Sequence, residues 1–183
     1  GTTLSPSNTI GSTTYYVTES LGNCESPASE ITITINATPD APVSSNDTTY
    51  CFGDVLADMT ATAGMGGTLT WYSDSLLTSV VGTGETLSPI ETIGSTSYYV
   101  TETLGECESD YSKVTITINP NPTAPTVSNN GIYCEGDDIN DMTATAGMGG
   151  TLTWYSDEGL TTVLGTGTTL SPSNTIGSTT YYV

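Results

Sequence analysis

The side chains of this 183-residue chain with chemistry to offer are 20 carboxylates, 4 cysteines, 11 tyrosines and 2 tryptophans. They stand beside one basic residue, Lys113, and no histidine. Without an imidazole, a serine or cysteine has no partner to take its proton, so Ser-His and Cys-His nucleophile pairs are impossible. Paired carboxylates remain conceivable as an acid and base couple. The same carboxylates recur in each repeat of the chain, however, which is how a scaffold behaves. The expectation is that the chain is not an enzyme.

Three further sets of residues invite a binding role. Cys51 and Cys107 fall within one repeat, and Cys24 and Cys134 are their equivalents in the flanking ones. With no CxxC spacing and no histidine, one disulfide per repeat is the economical reading. It joins Cys51 to Cys107, and it pairs Cys24 and Cys134 outside this segment or with a neighbouring copy. Such a bond would stabilise by on the order of 4 kcal/mol in the chain-entropy view. The alternative is two free, buried thiols in a reducing compartment.

Asp54 and Asp58, with Asp137, Asp138 and Asp141 around the equivalent positions, form acidic clusters. A hard cation such as calcium wants several converging oxygens, which these could supply. Neither cluster matches an EF-hand loop, and a solvated acidic face is the alternative. No other cofactor is expected. Trp71 with Tyr72 and Tyr98 with Tyr99 are adjacent aromatics that could stack on a sugar. Along Thr68 to Tyr72, alternation puts Leu69 and Trp71 on one face and Thr70 and Tyr72 on the other. One member of each pair should therefore face inward, and Trp71 is expected in the core.

The elements that position these residues follow from composition and repetition. Thr makes up roughly a fifth of the chain and, with Val, Ile and Tyr, suits pleated, half-buried surfaces. A formal net charge of −19 excludes nucleic acid and anionic membrane surfaces as partners, because both require basic counter-charge. No apolar run is long enough to span a bilayer, so no membrane insertion is expected. The first residues, Gly1 to Leu4, show no signal-peptide pattern, so any export signal would lie outside this stretch.

The run Asp58 to Asp74, DMTATAGMGGTLTWYSD, recurs unchanged as Asp141 to Asp157, an offset of 83 residues. Gly1 to Val17 is identical to Gly167 to Val183, at twice that offset. Alternate repeats are thus more alike than neighbours, which points to duplication of a two-repeat unit. Pro-rich stretches at Asn36 to Pro42 and Asn119 to Pro125 follow alternating runs and read as stiff linkers. One complete module is expected over residues 37–120. Residues 1–36 carry the C-terminal part of a preceding module, and residues 121–183 the N-terminal part of a following one.

Within the complete module, strands are expected over 42–45, 59–63, 68–73, 76–81, 86–88, 96–103 and 112–118. Turn signals such as Gly64-Met-Gly-Gly67 separate them. Seven short strands at this spacing predict a two-sheet sandwich, and no sustained 3.6-residue period predicts helix.

Tyr50-Cys51-Phe52-Gly53, Met59-Thr-Ala-Thr, Trp71-Tyr72, Tyr98-Tyr99-Val100-Thr101, Gly105-Glu-Cys107-Glu108-Ser109 and Val114-Thr-Ile-Thr-Ile118 together resemble the Ig-like repeats of Bacteroidota cell-surface and gliding-type adhesins. The resemblance covers the whole chain. It implies an all-β fold of tandem immunoglobulin-like β-sandwich modules, export by the type IX route and display at the extracellular cell surface. It further implies a structural spacer or fibre-forming repeat, with no catalytic residues to carry over. A carbohydrate-binding module using the exposed aromatics is the alternative. In antibody-type domains the cysteine follows the corner tyrosine by two residues. Here Cys107 comes eight residues after Tyr99, so the expected disulfide would staple the start of the sandwich to the hairpin before its last strand. The expected partners are neighbouring modules of the same protein, head-to-tail along a filament. In such a join the tail of one copy and the head of the next would complete one sandwich, with Cys134 of one beside Cys24 of the other.

Overall fold

The computed structural model describes residues 3–128 and 131–183, and every regular element among them is a β-strand. Among the described residues no helix is long and apolar enough to cross a membrane. The chain divides into two units, Gly1–Asn119 and Pro120–Val183.

The first unit begins with a long hairpin. Strands β1 (Gly11–Val17) and β4 (Ser29–Ile35) pair antiparallel in unbroken register from Gly11↔Ile35 to Val17↔Ser29. Beyond them β2 (Ser20–Leu21) and β3 (Cys24–Glu25) close the tip, where Gly22 takes a φ of 62° that favours glycine. Hydroxyl rungs Ser12 to Thr34 and Thr14 to Thr32, each 2.8 Å, line one face.

The complete module follows as two facing sheets. The smaller contains β5 (Val43–Ser44), β7 (Met59–Thr62) and β10 (Thr86–Leu87) in the order β10-β7-β5. The larger contains β6 (Thr48–Cys51), β8 (Thr68–Tyr72), β9 (Val80–Thr83), β11 (Gly94–Leu104) and β13 (Ser112–Asn119), ordered β6-β13-β11-β8-β9. The short β12 (Cys107–Glu108) folds back on the end of β11.

Alternation explains the packing. In β13, Val114, Ile116 and Ile118 point inward and are at most 3% exposed, while the intervening threonines face out. They meet Met59 and Ala61 of the opposite sheet around Trp71, which is wholly buried. Burying an aromatic of that size removes enough apolar surface to stabilise by on the order of 5 kcal/mol. The indole Nε1 donates to the Gly84 carbonyl at 2.9 Å, so its polar atom is satisfied inside the core.

The structure departs from the sequence pattern at both edges of the larger sheet. The strand expected over 76–81 begins only at Val80. Asp74 accepts backbone N–H bonds from Leu76 (3.0 Å), Thr78 (3.3 Å) and Ser79 (2.8 Å), which closes a tight turn with Leu77 at φ 57°. Three N–H groups committed to one carboxylate cannot also serve a ladder. The other departure is β6, unforeseen in the sequence, which runs parallel to β13 with Thr48 opposite Ile116 and Cys51 opposite Asn119.

The second unit repeats the first half of this plan. Strands β14 (Thr126–Ser128), β15 (Met142–Thr145) and β18 (Thr169–Leu170) form one sheet; β16 (Thr153–Tyr155) and β17 (Val163–Thr166) pair as a hairpin. A core of Ala144, Leu152 and Trp154 lies within it.

Candidate functional site

The most unusual group in the complete module is a buried acid. Glu102 lies near the end of β11, on the same inward side as Tyr98 and Val100, and has no solvent exposure. Its carboxylate accepts backbone N–H bonds from Gly64 (2.6 Å), Met65 (2.9 Å) and Gly67 (2.7 Å). The Gly64-Met-Gly-Gly67 turn thus wraps its amides around one anion, a nest of the kind that binds carboxylates and phosphates. The Gly67 amide bond is the largest influence, and with those of Met65 and Gly64 it holds the Glu102 carboxyl below its ordinary range against the opposing effect of burial. Glycine is required at 67 because a Cβ there would come within 2.5 Å of the Thr103 carbonyl oxygen. Gly66, at φ 74°, supplies the left-handed residue of the turn.

Neighbouring polar groups serve the same end of the sheet. Glu108 of β12 accepts hydroxyl bonds from Tyr72 (3.1 Å) and Thr101 (2.8 Å). Burial, then that bond to Glu108, raises the Tyr72 phenol above its usual value. At the far end, the Ile90 N–H donates to the Tyr98 hydroxyl at 3.0 Å, tying the loop before β11 to the strand itself. Equivalent bonds run from Ser7 N–H to Tyr15 and from Ser173 N–H to Tyr181, each 2.8 Å.

The residues singled out in the sequence do not converge on a site. The cysteines are free thiols, and the expected Cys51 to Cys107 bond is corrected by strand direction. Cys51 stands opposite Asn119 where β13 ends, beside the Gly94 end of β11; Cys107 stands opposite Leu104 at the other end of β11. Ten strand residues separate those ends, about 33 Å at 3.3 Å per residue. A disulfide needs Cα atoms within about 7 Å. Cys24 lies in β3 at the tip of its hairpin, opposite Leu21.

The acidic clusters bond to backbone amides and serine hydroxyls close by in the fold. Asp54 accepts the Cys51 N–H at 2.8 Å and Asp137 the Cys134 N–H at 2.7 Å. Asp58 accepts from the Ser88 hydroxyl and Asp141 from the Ser171 hydroxyl, while Asp138 is exposed. Among the described residues no group of three His, Cys, Asp or Glu side chains stands close enough to hold a metal ion. The sugar platform is corrected too. Trp71, Tyr72 and Tyr98 are buried, and Tyr99 packs edge-on against Tyr111 with ring centroids 5.0 Å apart.

Sequence reasoning missed Glu102 and its nest. The signal was present: an acid at an inward position of an alternating strand, and a glycine-rich turn between two strands whose amides needed an acceptor. What was missing was the pairing of the two, since Gly64 and Glu102 are 38 residues apart.

Among known proteins, no curated protein matches this chain. A family model described as "Ig-like domain CHU_C associated" matches it twice, over residues 39–120 and 122–183. The two matches meet at the Pro-rich stretch read as a linker and span most of the chain, so this protein belongs to the CHU_C-associated family of Ig-like domains.

Proposed function

We propose that this chain is a non-catalytic spacer of a long, secreted surface adhesin or extracellular filament, of the kind that Bacteroidota export by the type IX route. Ig-like domains of this family are generally non-catalytic, structural or adhesin-type repeats, and their family association implies a cell-surface or secreted setting. One observation carries the reading. The groups of the complete module best able to do chemistry, Glu102, Glu108, Asp74 and the Trp71 indole, are committed to holding its own backbone and hydroxyls in place. The aspartate turn and the indole bond recur 83 residues later at Asp157 and Trp154, and the acids at 102 and 108 have equivalents 83 residues earlier at Glu19 and Glu25.

The test is mechanical. Pulling a polypeptide that carries these repeats should give a saw-tooth force trace with even steps of about 250 Å, the extended length of one 83-residue repeat less its folded span. Antibody against the module should label intact cells. A smooth extension without steps, or label reaching the antigen only after lysis, would overturn the proposal.

A further inference from the structure

In the complete module the first stretch of chain and the last strand lie side by side and point the same way. The chain enters at Pro42, which is fully buried and whose carbonyl accepts the Ser112 hydroxyl at the start of β13. Over Val43 and Ser44 it pairs with β7 in the smaller sheet, then crosses to the larger sheet and continues as β6. β6 runs parallel to β13 from Thr48 opposite Ile116 to Cys51 opposite Asn119, where the chain leaves for the Pro-rich linker. Every other strand pairing among the described residues is antiparallel. Entry and exit therefore stand at opposite ends of β13, about 23 Å apart at 3.3 Å per residue.

That direction decides how tension acts on the module. A pull through its two linkers draws β6 back toward Pro42 and β13 forward past Asn119, so the strands must slide along one another. Ladder bonds of a parallel pair are evenly spaced along the strands, and under sliding they stretch together. Antiparallel first and last strands would instead put entry and exit at one end and be opened a bond at a time. We propose that β6 and β13 form a shear clamp, a further function of this module in which their joint bonds bear tension along the chain and set the force at which it unfolds.

The clamp is fastened at both ends. Asp47 accepts the Thr115 N–H at 2.7 Å just before the ladder begins, and the Phe52 N–H donates to the Asn119 carbonyl at 2.8 Å just after it. Tyr50, opposite Ile118, packs against the buried core, and its hydroxyl accepts the Ala57 N–H at 3.3 Å. Sliding β6 thus drags an aromatic ring from its place beside Ile118 as well as breaking backbone bonds. The turn that follows holds the last bond in position. The Asp54 N–H donates to the Cys51 carbonyl at 3.1 Å, the Asp54 carboxylate accepts the Cys51 N–H at 2.8 Å, and Gly53 takes a φ of 92°. Phe52 is thereby the second residue of a type II turn, with glycine third. The clamp deepens the spacer reading, on which its use rests, while its mechanics belong to the module alone.

The test pulls the 183-residue chain between handles at its two ends and reads, at constant force, the lifetime of the step of about 250 Å that residues 42–119 release. Phe52→Pro suits the turn, which favours proline at its second position, and deletes the N–H that Asn119 accepts. Asp47→Ala deletes the acceptor of the Thr115 N–H. Each should shorten the lifetime about fivefold, the effect of one lost hydrogen bond on a barrier. Phe52→Ala keeps the N–H and Asp47→Asn keeps a carbonyl oxygen, so both should stay near the parent chain. Asp74→Ala removes amide bonds in the turn between β8 and β9. It should lower the stability of the module in urea yet leave the lifetime under force unchanged, because that turn is still formed when the clamp parts. Circular dichroism checks that each variant is folded; if Phe52→Pro is not, Asp47→Ala against Asp47→Asn decides. A smooth extension would overturn the clamp together with the spacer reading. A distinct step that neither clamp variant shortens, or that Asp74→Ala shortens as much as they do, would overturn the clamp alone.

Discussion

The run from Asp58 to Asp74 and its identical copy from Asp141 to Asp157 sit in different surroundings, and the contrast separates what a strand does for itself from what its neighbours do for it. Both copies turn through an aspartate that accepts backbone N–H bonds, Asp74 from Thr78 and Ser79 and Asp157 from Thr161 and Thr162. Both place a leucine in the left-handed region, Leu77 at φ 57° and Leu160 at φ 53°. Both tryptophans donate to a glycine carbonyl, Gly84 or Gly167. These features are local. The differences lie where β11 and β13 are present in one unit and without counterpart strands in the other. Thr68–Tyr72 is a strand of five residues, while its copy shortens to the three of Thr153–Tyr155; Met59 is buried, while Met142 is half-buried. Partners across the sandwich therefore set strand length and depth of burial, and the turn chemistry is set by the run itself.

The largest effect expected from pressing on this contrast comes from the tryptophans. Trp71→Ala should cost the complete module about 4 kcal/mol, the usual range for a buried aromatic truncated in a closed core. Trp154→Ala should cost the second unit clearly less, because an open groove loses fewer contacts. Urea melts of each variant, followed by circular dichroism, measure both. Equal losses would mean that closing the sandwich adds nothing to tryptophan packing.

Glycine substitution sharpens the same point. Gly67→Val should destabilise the complete module by about 3 kcal/mol, because the obstacle is the backbone of Thr103 and cannot swing away. Gly150→Val in the identical turn should leave the thermal melt of the second unit where it was. A matching loss at both positions would show that the turn itself, rather than the strand passing it, demands glycine.

Acid should distinguish the units next. Glu102 is held below the ordinary glutamate range in the folded module, so its contribution is fully present above the unfolded value and is lost as pH falls through the folded one. The acid limb of the complete module's stability should flatten in Glu102→Gln. An acid limb unchanged by that substitution would remove the carboxylate nest from the account of stability.

The smallest effect expected belongs to the cysteines. Cys51→Ser with Cys107→Ser should shift stability by no more than about 0.5 kcal/mol per site, as surface substitutions do. A loss near the 4 kcal/mol of a removed disulfide, or a melt that responds to reductant, would reinstate the bond that strand direction rules out.

Much of the fold was legible before any coordinates. Alternation located β7, β8, β11 and β13 to within a residue or two, because one face of each strand must be apolar and the other polar. It placed Trp71 inward and made one of each adjacent aromatic pair suspect as a sugar platform. It failed over 76–81, where Leu76, Leu77 and Val80 look like strand but Asp74 captures the amides between them. It also passed over Thr48–Cys51, whose four residues become a strand only by lying along β13.

What the sequence by itself determined is therefore everything that depends on near neighbours: the 83-residue repeat, the alternating strands, the turns and the lack of a histidine-based nucleophile pair. Only the tertiary structure decided which distant residues meet. Periodicity carries no sign of strand direction, so it could not say that β6 runs parallel to β13 and carries Cys51 away from Cys107. Nor could it bring Glu102 to the amides of Gly64, Met65 and Gly67, because that encounter is fixed by how β11 lies against β8 in the closed sheet. A carboxylate and three N–H groups are unremarkable apart, and they become a buried, mutually satisfied site only when the strands between them are packed.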